Sequence, residues 1–381
     1  MAMCLAAGCA PLRPAPPPVC PAPVAATAPA PPAPARAPLE AVEFTDVPGW
    51  SEQDPRPGLA AFLKGCPVLA ARPGWPEACS AAAEAAGLDP AAARGAVEKA
   101  FRPHRVLPPE IRPEGLLTGY YEPLLQGSRS PSDVFRVPLR AAPDDLITVD
   151  LGAVAPETRQ MRLRGRLQGR RLVPYWSRAE IETGMAPVPG RELVWVDDPL
   201  EAFFLQIQGS GRVRMPDGDV ARLGYADQNG HPYRSIGRVL VERGALRLEQ
   251  ATMQGIKAWA RDHPEEVAAL LNENPSYVFF REMPAGPEGP VGSLGVPLTD
   301  GYSVAVDPAV VPLGAPVFIA STLPGGGDPL HRLAAAQDTG GAIRGGARAD
   351  LFWGFGPEAG EQAGRTRQPL RMWVLLPRPS P

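Results

Sequence analysis

The 381-residue chain is poor in the residues that most often carry metal or redox chemistry. It has four histidines, His104, His231, His263 and His331, and none forms an HExxH-type pair. All five cysteines lie in the first 79 residues and none sits at CxxC spacing, which argues against a zinc site or a thioredoxin-like redox pair. There is no run of about 18 apolar residues, the length a membrane-spanning helix needs. The formal net charge is −3, so no global positive field is available to hold nucleic acid. Gly340-Gly341-Ala342 is not a phosphate loop, because the G-x-x-x-x-G-K-[ST] pattern and its lysine are missing.

What the chain does have is length and apolar content. Hydrophobic residues make up 44 % of it, enough to bury a sizeable core, and its length accommodates two ordinary domains. Proline is abundant at 50 residues, with much of the excess in the first 40. Residues 10–40 are almost entirely Pro and Ala, a composition that reads as an extended, semi-rigid linker or a disordered tail. Just before it, Leu5-Ala6-Ala7-Gly8-Cys9 resembles the end of a bacterial lipoprotein signal. Only eight residues precede Cys9 and none is charged, so a start upstream of Met1 and a chance match both fit. Cys66 and Cys79 allow either a local disulfide in an exported protein or two unpaired thiols in a helical region.

Periodicity predicts helices over residues 58–101, where Leu59, Phe62 and Leu63 share a face, as do Ala81, Ala85 and Leu88. Asp89-Pro90 supplies an N-cap and a first-turn proline for Ala91–Phe101. From Leu116 to about residue 245 the chain reads as strand-rich. Arg191–Val196 and Ala202–Gln208 are expected strands, and Arg212–Met215 with Val220–Tyr225 a hairpin turned by Pro216-Asp217-Gly218-Asp219. Ser235–Glu242 and Leu248–Asn272 are expected helices, the first capped by Ser235 and the second ended by Asn274-Pro275. Short strands between Gly/Pro turns resume from Val278 to Leu376 and suggest a compact barrel.

Three aspartates, Asp307, Asp338 and Asp350, stand beside strands or tight Gly-rich turns. Each has a bland reading as a turn or helix cap. A carboxyl next to Phe352 and Trp353 is also a candidate for desolvation, which raises its pKa and favours a general acid. Two other segments carry sugar-binding chemistry. Tyr120 and Tyr121 could stack on sugar faces. Gln206 and Gln208, if on a strand, share one face next to Gly209 and Ser210 and offer paired amide donors and acceptors. The polar loop 225–235 brings Tyr225, Asn229 and Tyr233, with an ordinary N-capped loop as its plain reading.

Taken in order, the motifs T-G-Y-Y-E-P (118–123), Q-G-S-G (208–211), G-Y-A-D-Q-N-G-H-P-Y-R-S-I-G (224–237) and N-P-S-Y-V-F-F (274–280) resemble the membrane-bound lytic murein transglycosylase A family. S-V-A-V-D-P (303–308), P-L-G (312–314), D-T-G-G-A-I-R-G (338–345), A-D-L-F-W-G (349–354) and G-P-E-A-G (356–360) continue the likeness to about Leu376. The C-terminal part also resembles the domain named for three aspartates, here Asp307, Asp338 and Asp350.

The resemblance implies a mainly β fold with accessory helices. In it, residues 45–123 and 284–377 form a double-psi β-barrel, 124–283 an inserted β-rich substrate-binding domain, and 1–44 a signal remnant and linker. A glycan groove runs between the domains. The resemblance further implies cleavage of the β-1,4 bond between N-acetylmuramic acid and N-acetylglucosamine in peptidoglycan, with a 1,6-anhydro product and no metal or organic cofactor. Asp350 falls on the catalytic acid and Asp338 on a helper. Tyr120, Tyr121, Gln206, Gln208, Gly209, Ser210, Tyr225, Asn229, Tyr233 and Asp307 are the expected substrate contacts, with a structural role for Asp307 left open. A glycosidase that uses water, or a peptidoglycan-binding protein, is the alternative on the same barrel. The expected setting is the periplasm, with an outer-membrane lipid anchor at Cys9 if the signal is genuine. Peptidoglycan strands are the expected partner, with the wall-synthesis machinery as a further candidate and nucleic acid excluded.

Overall fold

The computed structural model describes residues 39–379 except 109–113, 156–157, 159–160, 162, 187, 189–190 and 287. Cys9 and nearly all of the Pro/Ala segment lie outside the described residues. The end of the expected linker is structured: Leu39–Ala41 forms strand β1, which pairs with β2 (Phe101–Val106).

Three helices lie between these strands: α1 (Arg56–Leu69), α2 (Trp75–Ala86) and α3 (Pro90–Ala100). The expected helices form and the cap is borne out, but Leu88 lies beyond α2 and is exposed, so it does not share the buried face of Ala85. Asp89 accepts from the amides of Ala91 and Ala92 at 3.0 and 3.1 Å, with Pro90 in the first turn. Leu59, Phe62 and Leu69 of α1 are fully buried. A disulfide joins Cys66 on α1 to Cys79 on α2, which settles the choice between a bridge and free thiols.

The largest sheet takes its strands from both ends of the chain. It combines β1, β2 and β3 (Gly115–Glu122) with β13 (Ser303–Val306), β14 (Pro316–Thr322), β15 (Pro329–Asp338), β16 (Arg348–Phe355) and β17 (Arg367–Pro377). Their order is β1-β2-β17-β14-β15-β13-β16-β3. A second pairing of β17, with β3, runs from Arg367↔Thr118 to Leu370↔Gly115. Helix α9 (Gly356–Arg365) packs on β3 at a closely fitted point: a Cβ on Gly119 would meet Trp353 Nε1 at 2.6 Å and the Ala363 backbone at 2.9 Å. Gly119 is therefore a packing requirement.

The strands between Leu124 and Met283 belong to other sheets. A six-stranded sheet runs β12-β11-β10-β4-β9-β5, built from β4 (Leu124–Ser128), β5 (Val137–Arg140), β9 (Glu192–Val196), β10 (Ser210–Arg214), β11 (Val220–Gln228) and β12 (Val278–Met283). The expected hairpin is β10–β11, in register from Ser210↔Gly224 to Arg214↔Val220. A three-stranded sheet contains β6 (Ile147–Thr148), β7 (Arg164–Gln168) and β8 (Arg171–Pro174). Helices α4 (Arg178–Glu182), α5 (Pro199–Gln208), α6 (Ile236–Glu242), α7 (Met253–Asp262) and α8 (Val267–Asn272) complete this region. Among the described residues no helix is long and apolar enough to cross a membrane.

Two expectations need correction. Ala202–Gln208 is not a strand but the body of α5. Asp198 caps it by accepting from the amides of Leu200 and Glu201, and Pro199 occupies its first turn. This start signal outweighs the short apolar run. Leu248–Asn272 is not one helix. It divides into a 3-10 turn, α7, a second 3-10 turn at Pro264–Glu266, and α8. Pro264 has no amide hydrogen to continue α7.

Replacing both Cys66 and Cys79 with serine should lower stability by roughly 3 kcal/mol, the value for a bridge closing a loop of this order. Urea denaturation reads the loss as a fall in midpoint, and reduced wild-type protein should fall to the same midpoint. An unchanged midpoint would show that the bridge adds nothing.

Candidate active site

The strand order brings two of the three singled-out aspartates together. On β13, Ala305 is the register partner of Asp338 on β15 and of Asp350 on β16. Asp350 is in turn the partner of Thr118 on β3. Asp338, Ala305, Asp350 and Thr118 thus form a row across four adjacent strands. At about 4.8 Å per strand, the two aspartate backbones stand roughly 10 Å apart, with Ala305 between them in the row.

Asp350 is held within this row. Thr118 Oγ1 donates to its Oδ1 at 2.5 Å. Burial pushes the Asp350 carboxyl above the usual carboxylate range. The Thr118 hydrogen bond and the Arg348 charge pull in the opposite direction without cancelling the rise, and the negative charge of Asp338 adds to it. A carboxyl so placed is disposed to keep its proton and give it to a neighbouring oxygen.

Asp338 has a different environment. Its Oδ1 accepts from the amide and hydroxyl of Ser293 and from the amide of Thr339, each at 2.9 Å. Its Oδ2 accepts from the Tyr120 hydroxyl at 2.9 Å. Tyr120 lies two residues beyond Thr118 on β3, hence on the same face, and its ring packs 5.2 Å from that of Phe352. Burial, followed by the charges of Asp338 and Asp350, holds the Tyr120 phenol well above its ordinary pKa, so it remains a donor. Tyr120, Phe352, Ala305, Leu298 and Ile343 form an apolar cluster around the pair.

The third aspartate is turned elsewhere. Asp307 Oδ1 accepts from the Ala309 amide at 3.1 Å and Oδ2 from the Gly345 amide at 2.7 Å, with Arg344 at 3.8 Å. Its contacts close the turn after β13 and fasten the Gly-rich segment that follows Asp338.

The expected sugar contacts separate into distinct groups. Tyr120 and Tyr121 are both buried, so neither presents an open ring face for stacking. Tyr121 packs against Ala359 and Ala363 of α9. Gln206 and Gln208 do not share a face, because two residues on a helix are about 200° apart. Gln206 is buried and accepts from Arg178 Nη2 at 2.6 Å, while Gln208 accepts from the Tyr121 amide at 3.1 Å. Gly209, with φ of +79°, ends α5, and Ser210 is buried at the start of β10. Asn229 is buried too, donating to the carbonyls of Trp176 and Pro275 and accepting from the Tyr277 amide. Tyr225 and Tyr233 are the exposed aromatics of the group, at 37 % and 49 %.

Thr118, Ser293 and the Glu122–Arg212 pair did not emerge from the sequence reading as site residues. Thr118 had a signal, since strand alternation in T-G-Y-Y places it on the face of Tyr120. Ser293 lies in an irregular segment and had none. Glu122, 1 % exposed, receives Arg212 Nε at 2.9 Å, and this ion pair joins the end of β3 to β10 in the six-stranded sheet.

Fold and site together define a mainly β protein with helices, whose largest sheet carries a half-buried aspartate with a raised pKa next to a second carboxylate that accepts four hydrogen bonds. Residues 116–281 match the family model for the MltA specific insert domain, and residues 302–376 match the 3D domain. Membrane-bound lytic murein transglycosylase A of Escherichia coli K12 is 35 % identical over 269 residues, 69 % of this chain and 66 % of that protein. The match thus spans slightly less than two thirds of that relative's length. Among solved structures, MltA from Neisseria gonorrhoeae has a TM-score of 0.76 at 40 % identity, covering 90 % of this chain and 93 % of that one. Escherichia coli MltA with bound chitohexaose has a TM-score of 0.69 at 27 % identity, covering 90 % and 95 %. The chain belongs to the membrane-bound lytic murein transglycosylase A family.

Two substitutions should move the Asp350 titration in opposite directions. Thr118→Val removes a hydrogen bond that favours the carboxylate, so the pKa should rise further. Asp338→Asn removes a nearby negative charge, so it should fall. Carboxyl-selective carbon-13 NMR titration measures both, and shifts of the same sign would refute this description of the site.

Proposed function

We propose that this chain is a peptidoglycan lytic transglycosylase that uses Asp350 first as acid and then as base. The observation that carries this reading is Asp350 itself: a carboxyl raised by burial, hydrogen-bonded to Thr118 and flanked by Asp338. Family membership supports the substrate, through the murein named for the relatives and the chitohexaose bound by the Escherichia coli protein.

In this scheme protonated Asp350 gives its proton to the oxygen linking N-acetylmuramic acid to N-acetylglucosamine. The bond from the muramyl C1 to that oxygen breaks, and N-acetylglucosamine leaves as an alcohol. The Asp350 carboxylate then takes the proton of the muramyl C6 hydroxyl as that oxygen bonds to C1. The product is a 1,6-anhydro sugar, no water is consumed, and Asp350 ends protonated as it began. The nucleophile is already attached to the reacting sugar, so proximity replaces a bound water. Asp338, with both oxygens occupied by donors, serves by its charge: it opposes ionisation of Asp350 and stabilises positive charge growing at C1. The scheme uses neither metal nor organic cofactor.

The architecture assigned to this function is a double-psi β-barrel from residues 45–123 and 284–377 with an inserted domain over 124–283. The return pairing of β17 with β3 and the parallel pairs β13–β15 and β3–β16 support that topology. The glycan would run in the groove between the domains, with Tyr225 and Tyr233 as exposed aromatic contacts. The membrane-bound relatives support an envelope location, for which a lipid on Cys9 is the proposed anchor.

Asp350→Asn should reduce release of anhydromuropeptides from purified sacculi by at least about a thousandfold, as expected for loss of a group acting as both acid and base. Binding to glycan should persist. Mass spectrometry checks the chemistry, because the anhydro product is one water lighter than a hydrolysis product. Reducing-end sugars would instead indicate a hydrolase, and full activity of Asp350→Asn would displace the assignment to Asp338.

A further inference from the structure

The hairpin β7–β8 has features that the glycan-cleaving site does not use. Residues 159–174 contain six arginines and no acidic residue, in a chain whose net charge is −3. Its register, Gly165↔Pro174, Arg166↔Val173, Leu167↔Leu172 and Gln168↔Arg171, sorts the side chains onto two faces.

One face is fastened to the rest of the molecule. Arg164 pairs with Asp227 on β11 at 2.9 Å, and the Arg166 guanidinium lies 3.6 Å over the Trp176 ring. The other face presents Leu167 and Leu172, directly opposed and 63 % and 46 % exposed. Strand β6 reaches only Gly165 and Arg164, so residues 167–172 project beyond the third strand. At the tip, Arg170 in the turn and Arg171, which pairs with Gln168 on the first face, are both exposed. The connection from β6 to β7 adds exposed Leu151, Val154 and Met161.

We propose that the β7–β8 hairpin docks on an anionic lipid surface, with Leu167 and Leu172 entering the interfacial layer and Arg170 and Arg171 on the headgroup phosphates. Paired apolar side chains beside arginines match both parts of such a surface, its charge and its acyl boundary. Acidic stem peptides of the wall would satisfy the arginines but leave the leucines in water. A second copy in a two-fold contact would set arginine against arginine.

The test is co-sedimentation of the full chain, prepared without lipid as Cys9→Ser, with vesicles of equal parts phosphatidylglycerol and phosphatidylcholine. Pure phosphatidylcholine vesicles and purified sacculi are run in parallel. Binding should favour the anionic vesicles and weaken as salt is added. R170Q with R171Q should weaken it roughly 25-fold, at about fivefold per arginine. L167S with L172S should weaken it at least about tenfold. Circular dichroism and intrinsic tryptophan fluorescence verify that each variant is folded. Equal binding to both vesicle types, or either pair of substitutions without effect, overturns the proposal. Loss of binding to sacculi but not to vesicles would assign the hairpin to the wall instead.

Discussion

Holding one half-buried carboxyl beside another is the constraint around which the site is arranged. Ionisation of Asp350 is opposed first by burial and then by the charge of Asp338. Left alone, two such groups would repel, swing apart or take up water. The sheet prevents this by fixing them on either side of β13, with Ala305 between them. Asp338 receives donors from Ser293, Thr339 and Tyr120, so its position is set by four hydrogen bonds. Asp350 accepts from one side chain, Thr118, at its Oδ1.

Strand β3 serves this constraint on both faces. Thr118, Tyr120 and Glu122 alternate on one side, reaching Asp350, Asp338 and Arg212 in turn. Gly119 and Tyr121 alternate on the other, against Ala363 and Ala359 of α9. The contact leaves no room at Gly119 for a methyl, and a Cβ on Gly360 would meet the Tyr121 ring at 2.8 Å. Such packing restricts sliding of β3, which would carry the Thr118 hydroxyl away from Asp350. The Glu122–Arg212 pair fixes the end of the same strand. A buried ion pair recovers little net energy after desolvation, so its value here lies in register rather than in stability.

Much of the scaffold was legible because it rests on local signals. Asp89-Pro90 starts a helix wherever it lies, and Pro216-Asp217-Gly218-Asp219 turns a hairpin. The misread elements are those where two local signals compete. In α5 the apolar run Ala202-Phe203-Phe204-Leu205 suits a buried strand as well as a buried helix, and the cap at Asp198 decides the matter. The site was legible only in part, because its partners are distant in sequence. Thr118 and Asp350 are 232 residues apart and Ser293 and Asp338 are 45 apart. Residue type also misled where burial decides the role. Asn229 and Gln206 look like ligand groups in sequence, yet their amides are spent on the backbone and on Arg178. The tyrosines of the T-G-Y-Y motif act by packing and by their hydroxyls, on Asp338 and on Met253, not by stacking on an open face.

The two parts of the chain meet at the carboxylates more directly than their separate sheets suggest. The chain leaves β3 at Pro123, whose carbonyl receives the Arg212 amide at 2.8 Å. It returns through residues 284–302, which contribute Ser293 to Asp338 and Glu288 to Arg212. Gln208, at the end of α5, holds the Tyr121 amide next to Tyr120. Each route from the six-stranded sheet thus ends on a residue that touches the site or adjoins one that does. A shift of that sheet would reach Asp338 through Ser293 and both carboxyls through β3, which Arg212 and Gln208 hold. Movement on the side of the second sheet would therefore act on both carboxyls, through the strand and the returning segment that hold them.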